Sequence, residues 1–354
     1  MQPYFTELSL SAQTAYAQLL DATLSAEHMR SVADLPGSFA AKTVRGHKYW
    51  YFQYTEPSGK LRQIFVGPDV PAVHKLMERK GGESARDLLT PLARSAIALG
   101  CSAVLPRHFR LVRRLADYGF FQAGGVLIGT HAFLAYGNML GVRWVSADRT
   151  QDIDLAHAGK SVALILPSNL QVHTGDAIES LGMGFLPVSG LGSKFGAGYL
   201  NPKEPAFRLD FLTTCHRGHA EPFEHKQLHV TMQPPKFMEY SLEHVQQAAL
   251  FCAEGSVVVN VPHPARYALH KLLVYGERTG TFGAKAPKDL AQAAHILAWL
   301  KPHRAAEVDE AWDDLAGRGK GWVARARQGL SALSAAYPDL SAADWLRLPA
   351  ARKP

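Results

Sequence analysis

Between positions 42 and 67 the chain reads KTVRGHKYWYFQYTEPSGKLRQIFVG. Aromatic and β-branched residues alternate there with polar ones on both sides of Pro57-Ser58-Gly59. A period of two around a turn signal predicts a β-hairpin. Upstream, residues 6–30 space Ala15, Leu19, Leu20 and Leu24 as a helix does, with Ser11 as the expected N-cap. Residues 70–100 read as helix bent or broken around Gly81-Gly82, and residues 104–118 as another helix. The latter is apolar at Phe109, Leu111, Val112 and Leu115 and decorated by Arg107, Arg110, Arg113 and Arg114.

Further on, a strand runs to about Ile128 and a helix begins at Gly129-Thr130. TQDIDLA (150–156) alternates like a strand, and SVALILP (161–167) is a strand or a buried loop. A helix near 168–182 and a glycine-rich segment at 190–198 lead into AFRLDFLTT (206–214), a strong strand. Residues 225–232 and 256–261 read as further strands. From Pro264 the pattern turns helical, with three or four helices over 287–347 broken at Pro302, at 317–321 and at Pro338. This order predicts an α/β (α+β) protein with a mixed sheet core. The expected division is an N-terminal helix and β-ribbon accessory module (1–102), a catalytic-type core (103–260) and a helical C-terminal domain (261–354).

Composition narrows the class. The chain has 354 residues, 47% of them apolar and 19% charged, which excludes disorder and allows a large core. Cys101, Cys215 and Cys252 are odd in number and far apart, so a disulfide framework is excluded and a cytoplasmic location is expected. Positions 1–10 show no basic stretch followed by an apolar run. Residues 123–142 lack formal charge over a membrane's thickness, but five glycines, a histidine and an asparagine point to strand, turn and helix, so no membrane partner is expected. The net charge of +7 favours an anionic partner: nucleic acid, nucleotide or phosphate.

The chemistry concentrates in three acids. In Gln151-Asp152-Ile153-Asp154-Leu155 the alternation of a strand puts Asp152 and Asp154 on one face and Ile153 and Leu155 on the other. Paired carboxylates repel unless a cation lies between them, and hard oxygen ligands suit Mg²⁺ or Mn²⁺. Asp210, in Phe207-Arg208-Leu209-Asp210-Phe211, is an acid on a second strand that a neighbouring position in the sheet would bring to the pair. Three carboxylates can hold two metals across a phosphoryl displacement. Upstream, Gly129 allows close backbone approach and Thr130 opens a helix whose N-terminus attracts phosphate.

Other features carry less. The glycine segment at 190–198 lacks the P-loop order and reads as a strand connection. Cys215, His216, His219, His225 and His229 lack the second half of a zinc motif. In the ribbon, Lys42, Arg45, His47, Lys48, Lys60 and Arg62 flank Tyr49, Trp50, Tyr51, Phe52 and Tyr54. That mixture either packs on a helix or stacks on nucleic acid; it resembles the three-stranded arm domains of tyrosine recombinases.

The order Gly129-Thr130, Asp152-Ile153-Asp154, Leu209-Asp210-Phe211 resembles the DNA polymerase β-type nucleotidyltransferase superfamily. Val261-Pro262-His263-Pro264, Lys271, Arg278 and Lys288-Asp289 are similar to a segment of the AbiEii-like (type IV toxin) nucleotidyltransferases. The whole pattern looks most like a bacterial family of uncharacterised nucleotidyltransferase-like proteins, over about residues 104–300. Two departures stand out: Thr130 replaces the usual serine, and the 22 residues from Thr130 to Asp152 require an inserted loop at 138–149.

The resemblance implies that Asp152, Asp154 and Asp210 hold the metals, and that Gly129 and Thr130 meet the nucleotide phosphates. Lys271, Arg278 and Lys288 would supply positive charge, with Asp289 orienting a cation. It further implies transfer of NMP from an NTP to an acceptor hydroxyl, on an RNA end such as tRNA or on a protein, and a toxin-like role with an antitoxin partner. The competing expectations are a nucleic-acid-binding protein with a vestigial core, or a metal-dependent phosphohydrolase.

Overall fold

The computed structural model describes residues 3–28, 37–55, 61–80, 88–145, 153–157, 172–188, 196–215, 221–277 and 286–346. The chain opens on strand β1 (Phe5–Glu7) and helix α1 (Leu10–His28). The helix starts later than residue 6 and is capped by Ser9, whose Oγ accepts from the Ala12 N–H at 3.2 Å. Ser11 lies inside the first turn.

The ribbon is a three-stranded antiparallel sheet, β2 (Ser38–Val44), β3 (His47–Thr55) and β4 (Leu61–Pro68), one strand more than a hairpin. Arg45 and Gly46 turn the chain between the first two strands, both at positive φ; Pro57-Ser58-Gly59 lies outside the described residues. Helix α2 (Pro71–Lys80) follows, then α3 (Leu89–Ala98) and α4 (Pro106–Asp117), whose first position takes a proline without losing a bond.

The core sheet follows. Strand β5 (Gly125–Ile128) runs directly into α5 (Gly129–Met139). Residues 138–149 are not simply an inserted loop. Asn138 and Met139 finish α5, and β6 (Val142–Trp144) pairs antiparallel with β1, tying the N-terminus to the core. Next come β7 (Ile153–His157), α6 (Thr174–Glu179), β8 (Leu186–Pro187), β9 (Gly198–Asn201) and β10 (Glu204–Thr213). The sheet order is β5-β7-β10-β9-β8; β7 and β10 are parallel and the other pairs antiparallel. Residues 158–171 and 189–195, including the 161–167 strand and most of the glycine segment, lie outside the described residues.

Residues 225–232 are not one strand. Strand β11 (Phe223–His225) turns back as β12 (Val230–Met232), with His229 at φ +43° in the turn. After the short helix α7 (Met238–Leu242), β13 (Val245–Cys252) and β14 (Gly255–Pro262) form a hairpin. Ala248, Leu250, Val257, Val259 and Val261 face the main core, while Ala249 and Phe251 face a second core with α1 and α3. Burial on both faces explains why this sequence is apolar without alternation. Four helices close the chain: α8 (Pro264–Glu277), α9 (Ala286–His303), α10 (Ala305–Gly317) and α11 (Lys320–Ala336), followed by the single turn α12 (Ala342–Trp345). Pro302 sits inside the end of α9, and the break falls at Arg304. Among the described residues no helix is long and apolar enough to cross a membrane, and no disulfide joins the three cysteines.

Candidate active site

The site lies where three strands come level. Ile128, at the end of β5, pairs with Asp154 on β7, and Asp154 pairs with Asp210 on β10. Paired residues on neighbouring strands share a face, so the two carboxylates stand side by side. The opposite face is the core: Ile153, Leu155, Leu209 and Phe211 are fully buried. Each carboxylate leans over a glycine of a neighbouring element, Gly129 at the start of α5 and Gly198 on β9. A Cβ on Gly129 would lie 2.0 Å from Asp154 Oδ2, and one on Gly198 would lie 2.9 Å from Asp210 Oδ1. Gly129 also has φ +62°, a conformation glycine adopts at no steric cost. At the other end of β5, Asn260 on β14 anchors the strand's start by donating to the carbonyls of Phe121 and Gly125 at 2.8 and 2.9 Å.

Helices α8 and α9 complete the site. Tyr267 donates its hydroxyl to the Gly129 carbonyl at 2.8 Å and sits 2.8 Å from the Gln292 side-chain amide, which reaches Thr130 Oγ1 at 3.3 Å. Burial first, then the Asp289 and Asp154 carboxylates, hold the Tyr267 phenol well above its usual range, so it remains a donor. Lys271 Nζ pairs with Asp289 Oδ1 at 2.8 Å and lies over the Tyr267 ring, 5.1 Å from its centroid. Thr130, Asp289 and Gln292 are buried.

Behind the turn, His131 and His108 form a buried pair, with ring nitrogens 2.9 Å apart. Burial first, then His108 and Lys288, push the His131 imidazole down to about 3. Lys288, in the first turn of α9, is thus within electrostatic reach of His131. Asp152 and Arg278 lie outside the described residues. Sequence pattern does not single out Tyr267 or Gln292. Tyr267 falls within the helical pattern beginning at Pro264, but nothing in its spacing distinguishes a core ring from one bonded to a turn 138 residues away.

Two level carboxylates favour a cation between them. Arg208, two positions from Asp210 on the same face, brings Nη2 to 3.6 Å from Asp210 Oδ1. Among the described residues no group of three or more metal-ligating side chains is assembled. Asp154 and Asp210 nevertheless supply oxygen donors of the kind a hard divalent ion takes, so the donor chemistry fits. The histidine cluster does not assemble a zinc site among the described residues: His229 stacks on His173 with centroids 4.4 Å apart, and His216 and His219 lie outside them.

A mixed five-stranded sheet, with acids on adjacent strands beside a glycine–threonine turn, defines a nucleotidyltransferase-like α/β protein. The sequence pattern of the nucleotidyltransferase family matches residues 107–317, and the chain belongs to that family. Among solved structures, an antigenic nucleotidyltransferase-like protein from Paracoccidioides brasiliensis is similar at 15% identity and a TM-score of 0.34, over 70% of this chain and 95% of that one. No curated protein matches the chain.

Proposed function

We propose that this protein transfers a nucleoside monophosphate from an NTP to an acceptor hydroxyl and releases pyrophosphate. The observation that carries this reading is the register setting Asp210 level with Asp154 beside Gly129 and Thr130. Asp154 and Asp210, with Asp152, would hold Mg²⁺ or Mn²⁺. Such ions, when bound, neutralise phosphate charge and stabilise the attacking and leaving oxygens.

The protein's own groups do the rest. The bare Gly129 backbone admits the phosphates, and Thr130 offers its hydroxyl and the free N–H groups at the start of α5. Lys271 acts as a point charge toward the triphosphate, oriented by Asp289, with Lys288 and Arg278 adding positive charge. Tyr267 and Gln292 are positioning residues that fix the turn. Asp210 takes the acceptor's proton. The acceptor is an RNA end such as tRNA, or a protein side chain. The resemblance to AbiEii-like enzymes extends the reading to a toxin restrained by an antitoxin, which growth arrest on induced expression tests.

The deciding experiment incubates the protein with Mg²⁺ or Mn²⁺ and each α-labelled NTP, together with total RNA and lysate. Label retained on a macromolecule is expected, and nuclease and protease digestion identify the acceptor class. Asp154→Asn and Asp210→Asn should each lower transfer by about 100-fold or more, and chelation should abolish it. Release of γ-phosphate with no transfer of α-label overturns the reading in favour of a phosphohydrolase.

A further inference from the structure

The ribbon sheet has two unlike faces. One packs on α2: Phe52 is fully buried against Phe39, Trp50 donates to Asp69 at 2.6 Å, and Gly67 lies against Val73. The other presents Lys42, Tyr49, Tyr51, Gln53, Gln63 and Phe65, which the strand register sets on one face. Phe65 is 56% exposed, and its ring lies 5.5 Å from that of Tyr51 and 6.0 Å from that of Tyr49. Lys42 bonds Gln63 and stands over the Tyr51 ring, 4.9 Å from its centroid.

Rings needed only for a core belong on the covered face, as Phe52 is. Here an aromatic patch is open and is interleaved with a cation and two amides. Residues 38–80, the ribbon and α2, also carry eight Lys and Arg against three Asp and Glu. On the open face Lys42 stands among the rings, and a cation beside stacking faces complements a phosphate backbone whose bases are free to stack.

We propose that this face of β2–β4 binds single-stranded RNA. Duplexes bury their base faces in the stack, so exposed rings select unpaired nucleotides. The paired Gln53 and Gln63 amides beside the rings offer donors and acceptors to the ribose 2′-hydroxyl, which favours RNA over DNA. Binding stands independently of the transfer reading; the use of this face to capture the acceptor rests on that reading.

The test is fluorescence anisotropy of the full-length chain, without NTP or metal, using labelled oligo(A) RNA of about 20 nucleotides, the same DNA sequence, and an RNA duplex of equal length. The RNA strand should bind in preference to both others, and its affinity should fall steeply from about 50 to about 200 mM salt. Tyr51→Ala and Phe65→Ala should each weaken binding about 5-fold or more. Tyr51→Phe, which keeps the ring, should retain it, and Lys42→Glu should weaken it. Because these side chains lie on the open face, an unchanged circular dichroism spectrum separates loss of binding from loss of fold. The proposal is overturned by absence of RNA binding, by equal binding of DNA or duplex, or by affinity unchanged in both alanine variants. Loss of nucleotidyl transfer in the Asp154 variant, with RNA binding intact, would separate the two functions.

Discussion

The Gly129 carbonyl accepts the Tyr267 hydroxyl in a partly buried setting, and the same hydroxyl lies 2.8 Å from the Gln292 side chain, so deleting it removes the link between the turn and α9. Tyr267→Phe should destabilise the fold by about 1–3 kcal/mol. It should also reduce transfer more than it changes overall structure, because the turn loses its brace. Urea denaturation and the labelled-NTP assay together check this. At His131 the effect is on pH. The unfolded imidazole takes a proton below its ordinary value of 6.5, while the buried one resists until about 3. Its contribution is therefore complete above pH 6.5 and is lost as the pH falls toward 3, by up to about 1.4 kcal/mol per unit. Unfolding free energies across that window should show a shallower slope in His131→Gln.

At the scale of elements, the crossing of α8 and α11 depends on two glycines. A Cβ on Gly329 would lie 2.2 Å from the Leu272 carbonyl oxygen, and one on Gly276 would lie 2.8 Å from the Arg325 carbonyl oxygen. Gly329→Ala must push the helices apart and should cost about 1–3 kcal/mol. Gly321, on the same helix, has open space around its Cβ position, so Gly321→Ala should stabilise by about 0.4–1 kcal/mol. Opposite shifts of the urea midpoint in the two variants would show that helix spacing, and not helix propensity, sets the outcome at Gly329. The acid site has the same logic: Gly129, opening α5, and Gly198, on β9, leave room for the carboxylates of Asp154 and Asp210.

Across the whole molecule, the main apolar core runs from Val104 to Leu346, and the β13–β14 hairpin joins it to the second core around α1 and α3. The ribbon's buried Phe52 belongs to neither core. Hydrogen exchange should therefore be slowest in β14 and faster by orders of magnitude in β2–β4, which can open without disturbing the rest. Uniform protection across both regions would contradict this. A semi-independent ribbon is also suited to carrying a binding face beside a rigid site.

Local pattern alone placed most elements. The alternation in 206–214 and the apolar spacing in 104–118 gave β10 and α4, because a half-buried strand and an amphipathic helix each write their period into the sequence. It also marked Asp154, Asp210, Gly129 and Thr130, since acids in apolar strands and a glycine before a helix are locally unusual. Long-range contact decided the remainder. β6 is defined by its pairing with β1, the second half of β13 is buried on both faces and so does not alternate, and the turn at His229 is written in backbone conformation. The parallel pairing of β7 with β10, and the reach of Tyr267 to Gly129, join positions far apart along the chain. Such contacts depend on packing free energy summed over the whole fold, which no local window of residues contains.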